Sequence, residues 1–144
     1  MRRQIVGLHQ TAADVPEGIY MLVVRRASYR WHPQKPFYSL RFEILQPEDL
    51  AGRTFPGRLY CSPRALWKLA WFLRDFGYDP DLLDQDQLDE EALVGLSGVA
   101  RITYTAINGR SFLNLDAFAP ANRWEEWSTA ALATQKGQEE FRDL

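Results

Sequence analysis

Hydrophobic and polar positions along this chain follow two periods, and the switches between them mark its elements. From Ser62 to Gly77 the period is helical. Leu66, Leu69, Ala70, Leu73 and Phe76 recur at three- and four-residue spacing and predict one broad apolar face. Trp67 and Trp71, four apart, widen that face as core or subunit-contact residues. Ser62 suits the N-cap, Pro63 the first helical position and Gly77 the left-handed stop.

On either side of this helix the period is two. Gly18 to Trp31 reads as a long first strand. One parity, Ile19, Met21, Val23 and Ala27, is mostly apolar, and the other passes from Tyr20, Leu22 and Val24 to Arg26, Ser28 and Arg30. That pattern predicts a strand buried on both faces at its start and wet on one face later. The segment His32-Pro33-Gln34-Lys35-Pro36 is a turn, since two prolines exclude strand continuation. Phe37 to Leu45 alternates cleanly, with Tyr38, Leu40, Phe42 and Ile44 on one side. Arg53 to Cys61 is a third strand, with Phe55, Leu59 and Cys61 inward and Arg58 and Tyr60 outward; Gly52 and Gly57 are candidate bulges. After the helix, Asp79 to Glu91 is a polar connector with a short helix after Asp86. Val99 to Ile107 and Arg110 to Phe118 form a hairpin around Asn108-Gly109, a pair suited to a type I′ turn. Leu113 and Leu115 point inward on its return strand, Phe112 and Asn114 outward. Asn122 to Gln135 predicts a terminal helix carrying Trp124 and Trp127, which cover an open end of the barrel or face a partner.

Three strands, a helix and a two-strand hairpin match the element order of the five-stranded Greek-key barrel called the OB-fold, in which a helix between strands three and four closes one end. The expected organisation is an arm or edge strand over residues 1–17, one mainly-β OB-fold domain over 18–120, and a C-terminal helix with a loose tail over 121–144. A chain of 144 residues is long enough for one such core.

Charge adds the next constraint. The net charge is only −2, yet Met1 to Arg74 holds twelve positive residues against five acids, while Asp75 to Val99 holds eight acids and no base. One electropositive face beside an acidic block is the expected result. Mapped onto the barrel, the outward positions Arg26, Arg30, Phe37, Arg41, Arg58 and Tyr60, the loop residues Trp31 and Lys35, and the hairpin residues Arg110 and Phe112 form a candidate nucleic-acid-binding surface. Guanidinium groups neutralise phosphates, and flat rings stack on bases no longer covered by their neighbours. Duplex DNA hides its base faces, so the preferred ligand is single-stranded DNA, with RNA the close alternative. The competing reading keeps the arginines for solubility and packs Phe37 or Tyr60 under the N-terminal arm or the C-terminal helix.

The remaining chemistry is sparse. Asp84-Gln85-Asp86 with its neighbouring acids lacks the glycine that a calcium loop needs at its sixth position, where Asp89 stands. Two histidines, His9 and His32, and the single Cys61 make no metal set of usable spacing, and no cofactor is expected. Cys61 has no general base beside it and reads as a small buried apolar residue. No nucleophile frame or phosphate-cradling glycine loop is present, so nothing argues for an enzyme. No apolar signal core follows Met1-Arg2-Arg3, and no run approaches the roughly 20 apolar residues of a membrane helix, so the cytoplasm is the expected setting.

Short pieces spread over Pro16 to Pro120 carry a resemblance. They are Gly18-Ile19-Tyr20, Leu40-Arg41-Phe42-Glu43-Ile44-Leu45, Gly52-Arg53-Thr54-Phe55, the Leu66 to Gly77 helix, Leu93-Val94-Gly95, Asn108-Gly109 and Phe118-Ala119-Pro120. In order and spacing they resemble a family of phage- and prophage-encoded proteins usually regarded as single-stranded DNA-binding and OB-fold-like. The resemblance implies an accessory role in replication, recombination or repair. That family's first loop is usually lysine-rich, whereas here it is Tyr29-Arg30-Trp31-His32-Pro33-Gln34-Lys35, an exchange that suits stacking. The alternative function is an OB-fold protein-interaction module, with the acidic segment 75–91 or the C-terminal helix as its surface. A homo-oligomer is compatible with either.

Overall fold

The computed structural model describes residues 15–83 and 88–131. Five strands form one antiparallel sheet: β1 (Gly18–Arg30), β2 (Phe37–Gln46), β3 (Thr54–Tyr60), β4 (Ser97–Ile107) and β5 (Arg110–Ala119). Their spatial order is β3-β2-β1-β4-β5. Consecutive strands therefore form a three-strand meander, and β4 returns by a long connection to lie on the other side of β1. That connection holds helices α1 (Leu66–Phe76), α2 (Pro80–Leu83) and α3 (Glu90–Leu93). The acids near Asp84 and the predicted start of the short helix lie partly outside the described residues; α3 itself begins after Asp89, whose carboxylate accepts from the Glu91 N–H at 3.0 Å.

The expected closed barrel is not what the ladders build. Among the described residues no ladder joins β3 to β5, so the sheet is open. The edges do approach, since a Cβ at Gly57 of β3 would lie 3.3 Å from Leu115 Cδ1 of β5. A physical reason for the missing ladder is Pro56. The Cys61 N–H donates to Pro36 O and the Ile44 N–H to Arg53 O, so every second residue of β3 bonds to β2. Pro56, paired with Arg41 between them, turns its backbone nitrogen away from β2 to the open edge, where it has no proton to give.

Strand β1 departs from simple alternation in an instructive way. The register shifts between Val24 and Arg26, where Val24 faces Phe42 and Arg26 faces Arg41. Arg25 is thus an extra residue, a bulge that inverts the facing of everything after it. Tyr20, Leu22 and Val24 face the core before it, and Ala27 and Tyr29 occupy the core parity after it. The parity change in the sequence is therefore one core face resumed out of phase. Gly57, expected as a bulge, is paired in register with Leu40. It is small because a Cβ there would meet the Phe42 ring at 2.8 Å. The Asn108-Gly109 turn is as expected, with φ of 52° and 78°, the two positive values that a type I′ turn needs.

Helix α1 covers one face of the sheet with Leu69, Phe72, Leu73 and Phe76. It begins three residues later than the cap pattern predicts. Ser62 to Ala65 is a turn closed by Ala65 N–H to Ser62 O at 2.9 Å, and no side chain caps the helix. The buried stripe is also rotated, leaving Leu66, Trp67 and Ala70 exposed while Phe72 takes the centre. Gly77 ends the helix in the left-handed region at φ 88°. Phe42, Phe72, Phe76 and Phe118 form the core's aromatic centre, with ring centroids between 4.4 and 6.3 Å apart. After β5, a 3₁₀ turn at Ala121–Arg123 leads into helical residues 124–131. There Trp127 lines a cleft of about 620 Å³ with Ile19, Arg101 and Thr103 on the outer side of β1 and β4. The predicted continuation of this helix to Gln135 and the arm before Val15 lie outside the described residues. Among the described residues no helix is long and apolar enough to cross a membrane.

Candidate nucleic-acid interface

Antiparallel pairing puts directly opposed residues on the same face of a sheet. Across β1, β2 and β3 the registers therefore build rows on the wall away from the core. The first is Arg30–Phe37–Tyr60, the second Ser28–Ser39–Arg58 and the third Arg26–Arg41–Pro56. The core side carries the complementary rows Tyr29–Tyr38–Leu59 and Ala27–Leu40–Gly57. Six of the expected residues, Arg26, Arg30, Phe37, Arg41, Arg58 and Tyr60, thus share one wall, and the bulge at Arg25 is what turns Arg26 and Arg30 onto it.

The side chains on this wall are partly organised. The Arg58 guanidinium carbon sits 4.5 Å above the centre of the Phe37 ring, and Phe37 meets Tyr60 with centroids 5.6 Å apart. A cation over an aromatic face is held by the ring quadrupole, so the guanidinium plane and two rings form one cluster. Arg41 donates to Thr54 Oγ1 at 2.9 Å, which fixes its head near β3. Glu43, the acid of this wall, is paired with the bulged Arg25 at 3.1 Å. Among the described residues no carboxylate pairs with Arg26, Arg30, Lys35 or Arg58.

The β1–β2 loop stands at the end of the first row. Trp31 is 74% exposed, and Tyr60 across the wall is 36% exposed. His32 shapes this loop by accepting the Gln34 and Lys35 N–H groups on Nδ1 at 3.1 and 3.0 Å. Lys35 is thereby held next to Phe37. Behind the loop, the Tyr29 N–H at the edge of β1 donates to the Glu90 carboxylate at 2.8 Å. That contact docks part of the acidic connector beside the strand that bears Arg26 and Arg30. It could not be read from either segment alone.

Arg110 and Phe112 are not brought to this wall by the ladders. They pair with Ile107 and Thr105 on the outer side of the β4–β5 hairpin, and β1 and β4 separate them from β2 in the hydrogen-bonded order. Phe112 is exposed there, beside Asn114, which donates to Thr105 Oγ1 at 2.7 Å. With the sheet open, the hairpin is a separate surface rather than a flank of a closed groove.

Titratable groups behind the wall are tuned by burial. Burial, followed by Cys61 and Tyr29, pushes the Tyr38 phenol from 10.0 up to about 12. Cys61, expected as buried, is only partly so, and what burial it has raises its thiol and disfavours the thiolate. Among the described residues no group of three or more His, Cys, Asp and Glu side chains is placed to hold a metal ion. No protein-family model matches the chain, and no curated protein matches it with significance.

Proposed function

We propose that this protein binds single-stranded DNA, with little sequence preference, along the outer wall of β1, β2 and β3. The observation that carries this reading is the in-register set of Arg26, Arg30, Arg41 and Arg58 interleaved with Phe37 and Tyr60 on one wall, with Arg58 stacked on Phe37. Phosphates are met by guanidinium groups and bases by rings or by the guanidinium plane itself. Neither contact reads a base edge, so sequence tolerance follows. An accessory role in DNA replication, recombination or repair, as among phage-encoded proteins of this kind, is part of the proposal.

A fourth strand returning beside the first gives the Greek-key order. The α1 position between β3 and β4 and the approach of β5 to β3 at Gly57 support an OB-type barrel with one unladdered seam.

Fluorescence anisotropy with a labelled thymidine oligomer at low salt tests the function. Replacing Tyr60 with Ala should weaken binding by about 5- to 150-fold, the equivalent of one lost base stack of roughly 1–3 kcal/mol. The melting temperature should fall only by what one cross-strand aromatic pair is worth, about 0.2–1 kcal/mol, and duplex of the same length should compete poorly. An RNA arm of the same experiment reports sugar preference. Equal affinity for duplex and single strand, or a Tyr60 variant that binds as the wild type does, would remove the stacking argument.

A further inference from the structure

Helix α1 carries an aromatic feature that neither the core nor the wall uses. Trp67 is 63% exposed, yet its ring is held in place by a stack on Trp71, with centroids 6.1 Å and planes 26° apart. Trp71 is itself fixed on three sides. It meets Phe118 edge-on at 5.5 Å, and its Nε1–H donates to one Asp75 oxygen at 2.8 Å. Arg74 holds the other oxygen of that carboxylate at 3.0 Å. Trp67 thus leans on a buttressed neighbour while most of its surface stays in solvent. An exposed ring kept rigid in this way loses little conformational freedom when something flat settles on it.

Charge identifies what that something is. Trp67, Trp71 and Arg74 recur at four and three residues and share one stripe of the helix. Lys68 adjoins Trp67, and Arg64 stands in the turn that leads into the helix. The acid of this stripe, Asp75, has both oxygens engaged and a side chain only 8% exposed. A second copy of the chain meeting this patch on itself would bring two sets of cations together, with Asp116 beside Lys68 as the acid left to offset them. A polyanion with flat, unpaired bases meets no such conflict. Trp67 follows Tyr60 by seven residues, at most about 25 Å of chain when fully extended, so a strand leaving the wall at Tyr60 must pass around the β3 edge to reach it. The turn and helix between them shorten that distance.

We propose that Trp67 is a second stacking position for the single strand held by the β1–β2–β3 wall, with Arg64 and Lys68 meeting its phosphates. The inference rests on the wall being the primary site and extends the path beyond Tyr60 onto α1. It makes the occluded length longer than the sheet face alone.

The test compares Trp67→Ala with wild type on two thymidine oligomers, one of about 6 and one of about 20 nucleotides, chosen to bracket the usual site size of such folds. The longer oligomer should bind the variant about 5- to 150-fold more weakly, and the shorter one, filling only the wall, should bind both alike. Arg64→Glu, which leaves the ring stack intact, should also weaken the longer oligomer and make its affinity less salt-dependent. If wild type binds tightly and neither variant differs from it on either oligomer, the Trp67 position is wrong and the wall survives. If Trp67→Ala instead dissolves a self-associated wild type without changing oligomer affinity, the patch is a contact between copies and the proposal falls. If wild type binds neither oligomer at low salt, both the wall and its extension are overturned.

Discussion

The close fit of α1 onto the sheet makes Gly98→Ala a sharp test of how the wall is held. Gly98 lies on β4 opposite Leu22, directly under the Phe76 ring. A Cβ there would stand 2.6 Å from Phe76 Cδ1, 2.8 Å from Cε1 and 3.0 Å from Cγ, so it meets one side of the ring rather than a flexible tip. Reaching ordinary contact requires a shift of roughly 1 Å. Phe76 has little room to give, since it is 2% exposed and bounded by Phe72 at 4.4 Å, Phe118 at 5.9 Å and Phe42 at 6.3 Å. Overpacking of this kind costs about 1–3 kcal/mol. Replacing Gly with Ala also restricts the unfolded chain, which returns about 0.4–1 kcal/mol. The central expectation is a loss of about 1.3 kcal/mol, at most about 2.6, with a melting temperature lower by a few degrees per kcal/mol. Urea unfolding followed by tryptophan fluorescence measures it. Adding Phe76→Leu in the Gly98→Ala background should recover part of the loss, because the two changes compete for the same space. A Gly98→Ala variant as stable as wild type or more so would refute the packing argument.

Two further outcomes follow from groups around the wall. Burial pushes the Tyr20 and Tyr38 phenols up to about 12 from 10.0. The folded chain therefore keeps protons that the unfolded chain releases near pH 10, so stability is full below that pH and falls as pH rises toward 12. A urea midpoint series across this range should show the fall and Tyr38→Phe should flatten it; a midpoint constant to pH 12 would contradict it. Glu43→Ala should change stability by no more than about 1 kcal/mol, because Arg25 is half exposed and Glu43 is in partial contact with water. The same change should strengthen oligomer binding by removing a carboxylate from the wall, and weaker binding in anisotropy titrations would argue that Arg25 needs its partner.

Alternation was the legible part of this fold. In β2 and β3 one buried residue follows one outward residue without interruption, so the placement of Phe37, Arg41, Arg58 and Tyr60 could be read directly. The outward facing of Arg26 and Arg30 was legible too, although its cause was not. Burial on both faces at the start of β1 was read correctly, with Leu22, Val23 and Val24 all buried, but the bulge at Arg25 that follows leaves only a parity switch in sequence. The start of α1 misled because Ser62 and Pro63 are good cap residues, while the chain leaving β3 first makes a turn through Ala65. Which way the Pro56 nitrogen points, and so whether it costs the open edge a donor, is set by pairing with β2 rather than by local pattern. Arg110 and Phe112 were grouped with the wall only on the assumption of closure. The Glu90 contact with the Tyr29 N–H joins residues 61 apart and leaves no local trace.

The central claim is that the β1–β2–β3 wall grips phosphates and bases of an unpaired strand. Affinity for the short thymidine oligomer of about 6 nucleotides, which fills only the wall, measured against salt tests it most directly. With Arg26, Arg30, Lys35, Arg41 and Arg58 available, log K should fall against log salt with a slope approaching about −3.5, the value for five neutralised phosphates on a single strand. Arg58→Glu should make that slope shallower by about one unit. Affinity independent of salt, or a slope unchanged by Arg58→Glu, would contradict the account.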